Sequence, residues 1–459
     1  MAASLPISVG VKPAPVSATV FTPSKASTTS IRLPLQFMVV GLLALFTGTG
    51  WLVAQPDILA VSRYTPGAVA VTHLFVLGWL CSVVMGAVYQ LVPVALETKL
   101  HSERLAQWQF VFHILGFVGM VFMFQTWNMK WVGYFGTVLT LGVVLFIYNI
   151  ARTLGHVPKW NVIATGVVSA LTWLLLTITA GLFLVAGQRG YVPVLQFNPI
   201  AAMNAHAHLG AVGFFTMLIV GVSYKLVPMF TLSEIQNHGR ATASIVLLNV
   251  GLIGLFAGIL LQQPWKLVFV LVIVAALTLY GWELRTILRA RKRRALDWGV
   301  MYFLTALVML FPLSALAVVL CWPSLPANQF TGQLETVYGF LGFIGFVSFA
   351  ILGMLYKIIP FLIWFGIYSK HIGRSQVPAL ADMYSAPLQA AGYWTFLAGL
   401  LATAMAPLFA SVTGVRAGCG LLVLSLVIFA MNVGKILSHY FRPKLTPLGV
   451  NRTTTRTAP

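Results

Sequence analysis

Long apolar stretches separated by short polar segments run through most of the chain. About twelve of them reach the length of roughly 20 residues that a helix needs to cross the hydrocarbon core of a bilayer. The pattern therefore predicts an all-α polytopic membrane protein with about 12 transmembrane helices. The predicted spans are 33–53, 68–94, 105–127, 131–150, 162–186, 201–227, 245–261, 267–288, 300–321, 336–363, 388–409 and 418–437.

The second, sixth and tenth apolar stretches repeat one pattern of glycine, tyrosine and proline. This repeat predicts that the helices form three pseudo-symmetric four-helix arcs. Its glycines are expected to let helices pack closely, and its tyrosines to lie in an aromatic belt near the inner membrane surface. The matching positions are His73, Gly78, Gly86, Tyr89 and Pro93, then His208, Gly213, Gly221, Tyr224 and Pro228, then Phe340, Gly345, Gly353, Tyr356 and Pro360.

Composition excludes a water-soluble domain, because only 8% of the residues are charged and 59% are hydrophobic, against roughly 25% charged residues in soluble domains. The net charge of +20 lies mostly on alternate loops, which is the positive-inside pattern of membrane proteins. It predicts a multi-pass protein of the inner (cytoplasmic) membrane with both termini in the cytoplasm. The partner of the basic loop 291–294 is then anionic lipid, and no nucleic acid is implied.

The chain ends are predicted to lie outside the membrane domain. Residues 1–31 are rich in Ser, Thr, Pro and Ala, contain no acid, and predict a disordered cytoplasmic tail, with a transit peptide as the alternative. Residues 32–441 form the predicted twelve-helix membrane domain, and 442–459 a cytoplasmic C-terminal tail. The three cysteines form no CxxC or CxxCH motif, which argues against a thiolate metal site and covalent c-type heme.

Three histidines, His73, His206 and His208, fall near the predicted outer start of an apolar helix. A polar ring at that depth is costly unless it is hydrogen-bonded to a neighbouring helix or bound to a ligand. His206 and His208 diverge by about 200° around their helix, so they are expected to serve two different sites.

Imidazole is a common ligand of iron and copper. Two imidazoles on different helices across an apolar cleft suit a six-coordinate heme, and His73 with His208 is the predicted axial pair, which places the heme between the second and sixth helices. His206 would hold a second heme or copper. His113, in the third helix, is either a packing residue or a further ligand of that second site.

The segment His206-Ala-His208-Leu-Gly210-Ala-Val-Gly213 resembles the heme-copper oxidase superfamily, subunit I, and within it the C-family cytochrome c oxidases and nitric oxide reductases. The resemblance implies twelve helices in three arcs, heme b, a role in respiration and electron transport, and a cytochrome c-type electron donor. It also implies that His73 and His208 bind one low-spin heme and His206 a high-spin heme. The family carries this His-x-His on its tenth helix, where this chain has Tyr338 and Phe340, and its copper-binding histidine pair has no counterpart in 245–261.

Three functions stay open on the sequence. The first is electron transfer or binding of a diatomic gas (O2 or NO) at a bis-histidine heme b. The second is an active terminal oxidase or nitric oxide reductase subunit, an oxidoreductase with a rearranged copper site. The third is a transporter or metal-handling protein on the same fold. Each of the eight acids lies in a loop or at a helix end, so the carboxylate relay usual in proton pumps is not expected.

Overall fold

The computed structural model describes residues 30–61, 64–191 and 197–447. Within them twelve helices are long and apolar enough to span a membrane, which confirms the predicted number. A two-residue strand pair, Ser375–Gln376 with Thr446–Pro447, is the one departure from helix and loop in these segments. The helices are α1 Arg32–Ala54, α2 Pro66–Ala95, α3 Glu103–Gln125, α4 Met129–Leu154, α5 Val162–Gln188, α6 Pro199–Thr231, α7 His238–Leu260, α8 Lys266–Arg289, α9 Trp298–Leu320, α10 Gln329–His371, α11 Ala386–Phe409 and α12 Val412–Phe441.

The twelve helices form three units of four with the same internal packing. In each unit the first helix packs on the second and the third packs on the fourth, and α12 packs on α1 to close the ring. The second helix of each unit is the most buried: 72% of the apolar window of α2 and α6 and 83% of that of α10 is buried, against at most 50% elsewhere. The repeat helices thus form the centre of the bundle, and the predicted three arcs are confirmed.

The second glycine of each repeat lies where its helix touches the first helix of the same unit. A Cβ added to Gly86 would lie 2.6 Å from the Cβ of Phe37 in α1, and one added to Gly221 would lie 3.0 Å from the Cα of Gly166 in α5. In the third unit a Cβ on Gly353 would lie 2.6 Å from a backbone oxygen of α9. The prediction that these glycines allow close packing is confirmed.

Gly221→Val should destabilise the fold, because the added side chain meets the backbone of Gly166 and forces α5 and α6 apart. Overpacking of this kind costs about 1–3 kcal/mol. The measurement is the thermal unfolding midpoint of the detergent-purified protein. Gly434→Val in α12 is the matched control, since a Cβ there has no neighbour within 4 Å, and equal midpoints for the two variants would contradict the packing.

The repeat tyrosines lie inside the bundle and not in an aromatic belt, so that prediction was wrong. Tyr89, Tyr224 and Tyr356 are 0%, 1% and 2% exposed. The Tyr89 hydroxyl donates to Gln109 over 3.3 Å, and the Tyr224 hydroxyl is 2.8 Å from that of Ser244. Each of these contacts joins the second helix of a unit to the third. Sequence spacing did not predict the direction in which these side chains point.

A side chain on the fourth helix of each unit binds the backbone at the start of the third helix. The bonded residues are 47 positions apart in all three units. Two units use an asparagine amide, which both accepts from and donates to the same backbone residue, and the second unit uses a carboxylate. The pairs are Asn149 with Ser102, Glu283 with Gln236, and Asn432 with Ser385.

Each repeat helix contains one π-helical segment at the same position of the repeat: Leu74–Cys81, Leu209–Thr216 and Leu341–Ser348. A hydroxyl at or beside the end of each segment donates to the carbonyl five residues earlier, at 3.3 Å for Ser82, 2.8 Å for Thr216 and 2.7 Å for Ser348. Segments of this kind are rare and occur often at functional sites, because they change the direction of the side chains around them.

Only parts of the predicted tails lie in the described residues. The Ser30 amide donates to Glu103 over 2.8 Å, and residues 1–29 lie outside the description. At the other end the Lys444 amide donates to the Tyr368 hydroxyl over 2.9 Å. The first residues of the predicted C-terminal tail are therefore held against the end of α10, and 448–459 lie outside the description.

Candidate functional site

His73 and His208 occupy equivalent positions, each being the last α-helical residue before a π segment. The Nδ1 of His73 lies 2.8 Å from the carbonyl oxygen of Val69, and the Nδ1 of His208 lies 2.8 Å from that of Asn204. Since a carbonyl can only accept, each Nδ1 carries the proton. The Nε2 of each ring therefore has a free lone pair, which is the arrangement typical of metal-binding histidines.

The same bond occurs in His156, whose Nδ1 is 2.8 Å from the carbonyl oxygen of Arg152. His156 is exposed just beyond the end of α4. What distinguishes His73 and His208 is that both lie in apolar repeat helices, at equivalent positions directly before a π segment. His156 is consequently a natural control for them.

His73 faces α3. Its ring lies against that of Phe124 in α3, with 4.5 Å between the ring centroids and 31° between the planes. This contact orients the His73 ring from α2 toward α3.

His206 points from α6 toward α5. A Cβ added to Gly181 in α5 would lie 3.1 Å from the Cε1 and 3.7 Å from the Nδ1 of His206, so the absence of a side chain makes room for the ring. Its Nδ1 is buried and has no hydrogen-bond partner in the described part of the chain.

His208 points the other way, toward α10. Its ring stacks on that of Tyr338, with 5.9 Å between centroids and 22° between planes. The Tyr338 hydroxyl lies 3.4 Å from the His208 Nε2, and it must be the donor because that nitrogen holds the lone pair. The predicted divergence of His206 and His208 onto opposite faces of their helix is confirmed.

The predicted pairings are not joined by direct contacts. Within the described residues, no hydrogen bond or ring contact joins His73 to His208, and their joint binding of one heme stays a prediction. His113 lies away from His206: its Nε2 donates to the Leu77 carbonyl in the first π segment at 3.1 Å and lies 3.0 Å from the Ser82 hydroxyl. Its role as a second-site ligand also stays a prediction.

Two contributors to the site were missed by sequence reasoning. Tyr338 was noted only as the residue in place of a histidine, and Gly181 was not noted at all. The described segments contain no group of three or more His, Cys, Asp or Glu side chains that could hold a metal ion together. The candidate donors are imidazoles in an apolar bundle, and the Nδ1 of His206 is buried without a hydrogen-bond partner in the described residues. Imidazole is a common iron ligand, so this kind of donor fits a heme.

No protein-family model matches the sequence, and no curated protein matches it. Among solved structures, the chain is similar to a heme-copper terminal oxidase whose dimer was determined by cryo-EM. The two share 13% sequence identity with a TM-score of 0.57, over 89% of this chain and 81% of the other. The chain therefore has the fold of a heme-copper terminal oxidase, as the resemblance of its sequence predicts, and at this identity the likeness concerns the fold.

Proposed function

We propose that this chain is a heme-binding integral membrane protein of the cytochrome oxidase subunit I type, which carries electrons or binds a diatomic gas at a heme b. The observation that carries the proposal is the pair His73 and His208, equivalent in two repeats, each with its Nδ1 bonded to the carbonyl four residues earlier. His156 makes the same bond but lies exposed beyond the end of α4, whereas His73 and His208 occupy equivalent positions of two apolar repeat helices. The fold supports the proposal, because a protein with the same fold is a heme-copper oxidase.

The chain's own residues would do three things for a heme between α2 and α6. His73 and a histidine of α6 would hold the iron. The Phe124 ring beside His73 and the apolar residues of α2 would exclude water from it. The π segments would fix the direction of the ligand side chains, since each begins directly after the ligand position. A bound heme would supply a redox-active iron for single-electron transfer or gas binding.

The proposed surroundings follow from the fold and charge pattern. Twelve apolar helices need a lipid bilayer, and the inner (cytoplasmic) membrane with both termini on the cytoplasmic side is the placement that the basic loops favour. A cytochrome c-type protein or subunit is the proposed electron donor. Metal analysis would test for a second heme or copper at His206. Consumption of O2 or NO would test for activity as an oxidase or nitric oxide reductase.

The deciding experiment is the absorption spectrum of the chain produced with ample heme and purified in detergent. We expect a Soret band, and sharp α and β bands after reduction, because two imidazoles make the iron low-spin. Carbon monoxide added to the reduced protein separates the two roles: a spectrum that does not change indicates electron transfer, and a shifted Soret band indicates gas binding. A purified protein without a Soret band would contradict the proposed function.

A further inference from the structure

We infer that His113 is a positioning residue for His73: from α3 it holds the first π segment, Leu74–Cys81, and so fixes the direction in which the His73 side chain leaves α2. The inference rests on the proposed heme binding and adds a residue to that site. It differs from both roles that the sequence leaves open for His113, a packing residue and a ligand of a second site. The bonds of the His113 ring, its burial and the comparison with the other two units support it.

A hydrogen-bonded group of three residues joins α3 to the first π segment. The His113 Nε2 lies 3.1 Å from the carbonyl oxygen of Leu77 and 3.0 Å from the hydroxyl of Ser82. Since a carbonyl can only accept, Nε2 carries the proton, and the Ser82 hydroxyl donates to the same carbonyl over 3.3 Å. A protonated Nε2 has no lone pair to offer a metal, so this nitrogen of His113 holds the π segment instead.

The His113 ring is buried and surrounded by aromatic side chains, so it can define the position of the carbonyl that it binds. His113 and Ser82 are both 0% exposed. The ring lies beside those of Phe37 in α1 and Phe117 in α3, with 6.3 and 5.4 Å between centroids. Its Nδ1 is also buried and has no hydrogen-bond partner in the part of the chain that the structure describes. The hold on the π segment is therefore made through Nε2.

The second repeat shows what the His113 bond replaces. Leu77 and Val212 are equivalent, since each lies four residues after a candidate ligand. In the second repeat the backbone amide of Met217 bonds to the Val212 carbonyl five residues earlier, which is the bond of a π turn. In the first repeat the equivalent amide, that of Ser82, bonds to the Trp79 carbonyl. Side-chain donors therefore serve the Leu77 carbonyl where the second repeat uses its backbone.

The third helices of the other two units carry apolar side chains at the position of His113. His113 lies 11 residues after the backbone position that the fourth helix binds, and the same position holds Leu247 in α7 and Phe396 in α11. Neither side chain can donate a hydrogen bond. The donor thus belongs to the first unit, and the other units show that leucine and phenylalanine fit this position of the repeat.

The winding of α2 connects Leu77 to His73. α3 touches this stretch of α2 twice, through Phe124 at His73 and through His113 at Leu77. Because the first π segment begins directly after His73, a change in its winding turns the His73 side chain relative to the rest of α2. A π turn holds about one residue more than an α turn, and one residue of an α-helix corresponds to about 100° of rotation. The bonds at Leu77 oppose such a rotation.

The test records the electron paramagnetic resonance spectrum of the ferric, heme-loaded full-length protein, because the g-values of low-spin heme depend on the orientation of its axial ligands. His113→Leu, which copies the residue of α7, should shift the g-values. His113→Gln should keep them near those of the wild type, since its amide can still donate to the Leu77 carbonyl. Ser82→Ala removes the second donor and should shift them in the same direction, which keeps the test open if His113→Leu fails to fold.

Gln109→Leu in α3 is the matched control. Gln109 is equally buried one turn from His113, but it bonds to Tyr89 and Met85 and not to the π segment, so its loss should leave the g-values unchanged. The positioning role is overturned by unchanged g-values in His113→Leu and Ser82→Ala, or by equal shifts in His113→Leu and either His113→Gln or Gln109→Leu. Conversion of His113→Leu to high-spin iron also overturns it, because His113 would then be a ligand.

The positioning role and the proposed function fail in different ways. A wild-type protein that contains no heme overturns the proposed function, and the positioning role with it. A wild type with low-spin heme whose g-values do not respond to His113→Leu or Ser82→Ala keeps the proposed function and overturns the positioning role alone. Amide hydrogen exchange of residues 74–82 is a second readout that needs no heme. It should be faster in His113→Leu than in the wild type and in Gln109→Leu, and equal rates overturn the hold of His113 on the π segment.

Discussion

His73→Ala should abolish most heme binding, whichever histidine of α6 is its partner. His73 belongs to the axial pair that the sequence predicts, so its loss leaves the iron with one protein ligand. Changes in residues that merely orient a metal ligand already cost roughly 10–100-fold in metal affinity. We therefore expect the heme content per protein to fall by more than about tenfold.

The measurement is the ratio of heme to protein after purification under identical heme supply. His156→Ala is the control, because His156 makes the same backbone bond through Nδ1 but lies exposed at the end of α4. It should retain full heme content. A His73 variant with unchanged heme content and an unchanged spectrum would remove His73 from the site, and with it the reason to place a heme between α2 and α6.

Much of the fold could be predicted from hydropathy and one repeated pattern. Apolar runs of the right length identified all twelve helices, because a bilayer requires every spanning segment to satisfy its own backbone hydrogen bonds. The spacing of glycine, tyrosine and proline identified the three units. The spacing could not predict which neighbouring helix a side chain faces, and the repeat tyrosines show why. A period of 3.6 residues places Tyr89 at a depth, but which neighbour it faces depends on how α2 is rotated in the bundle.

The π segments also could not be predicted from hydropathy or from the repeated pattern. An extra residue in a turn is not visible in the hydropathy of Leu74–Cys81 or Leu341–Ser348, which read as ordinary apolar helix. The segments are stabilised by bonds to residues far along the chain. One example is the Trp79 indole, which donates to the Ser348 hydroxyl over 2.9 Å and so joins the π segments of α2 and α10.

The candidate site residues could be named from the sequence, and their binding of a ligand stays a prediction. A histidine in an apolar helix is conspicuous, and the 200° divergence of His206 and His208 follows from helix geometry alone. That geometry says that the two rings serve different sites, but it does not say which neighbouring helix each ring meets. The rotation of α6 in the structure places His206 against Gly181 of α5 and His208 against Tyr338 of α10.

In each unit one side chain of the fourth helix binds the backbone at the start of the third helix. Of the three alanine substitutions that remove these side chains, Glu283→Ala should destabilise the fold most. The carboxylate is completely buried and accepts from the amides of Gln236 and Asn237, at 2.7 and 3.0 Å, and from Arg240 at 2.7 Å. Removing it leaves a largely buried guanidinium without its partner, besides freeing two amides at the start of α7. Breaking a buried ion pair in this way costs about 3–5 kcal/mol.

Asn149→Ala and Asn432→Ala are the matched comparisons, because they remove the same connection in the first and third units without leaving a charge unpaired. Unmet neutral hydrogen bonds cost about 1–3 kcal/mol, so the thermal unfolding midpoint should fall less in these variants. Adding Arg240→Ala to Glu283→Ala should recover part of the loss, since it removes the unpaired cation. If all three alanine variants unfold at the same temperature, the charge of Glu283 contributes nothing, and the second unit is held together just as the neutral ones are.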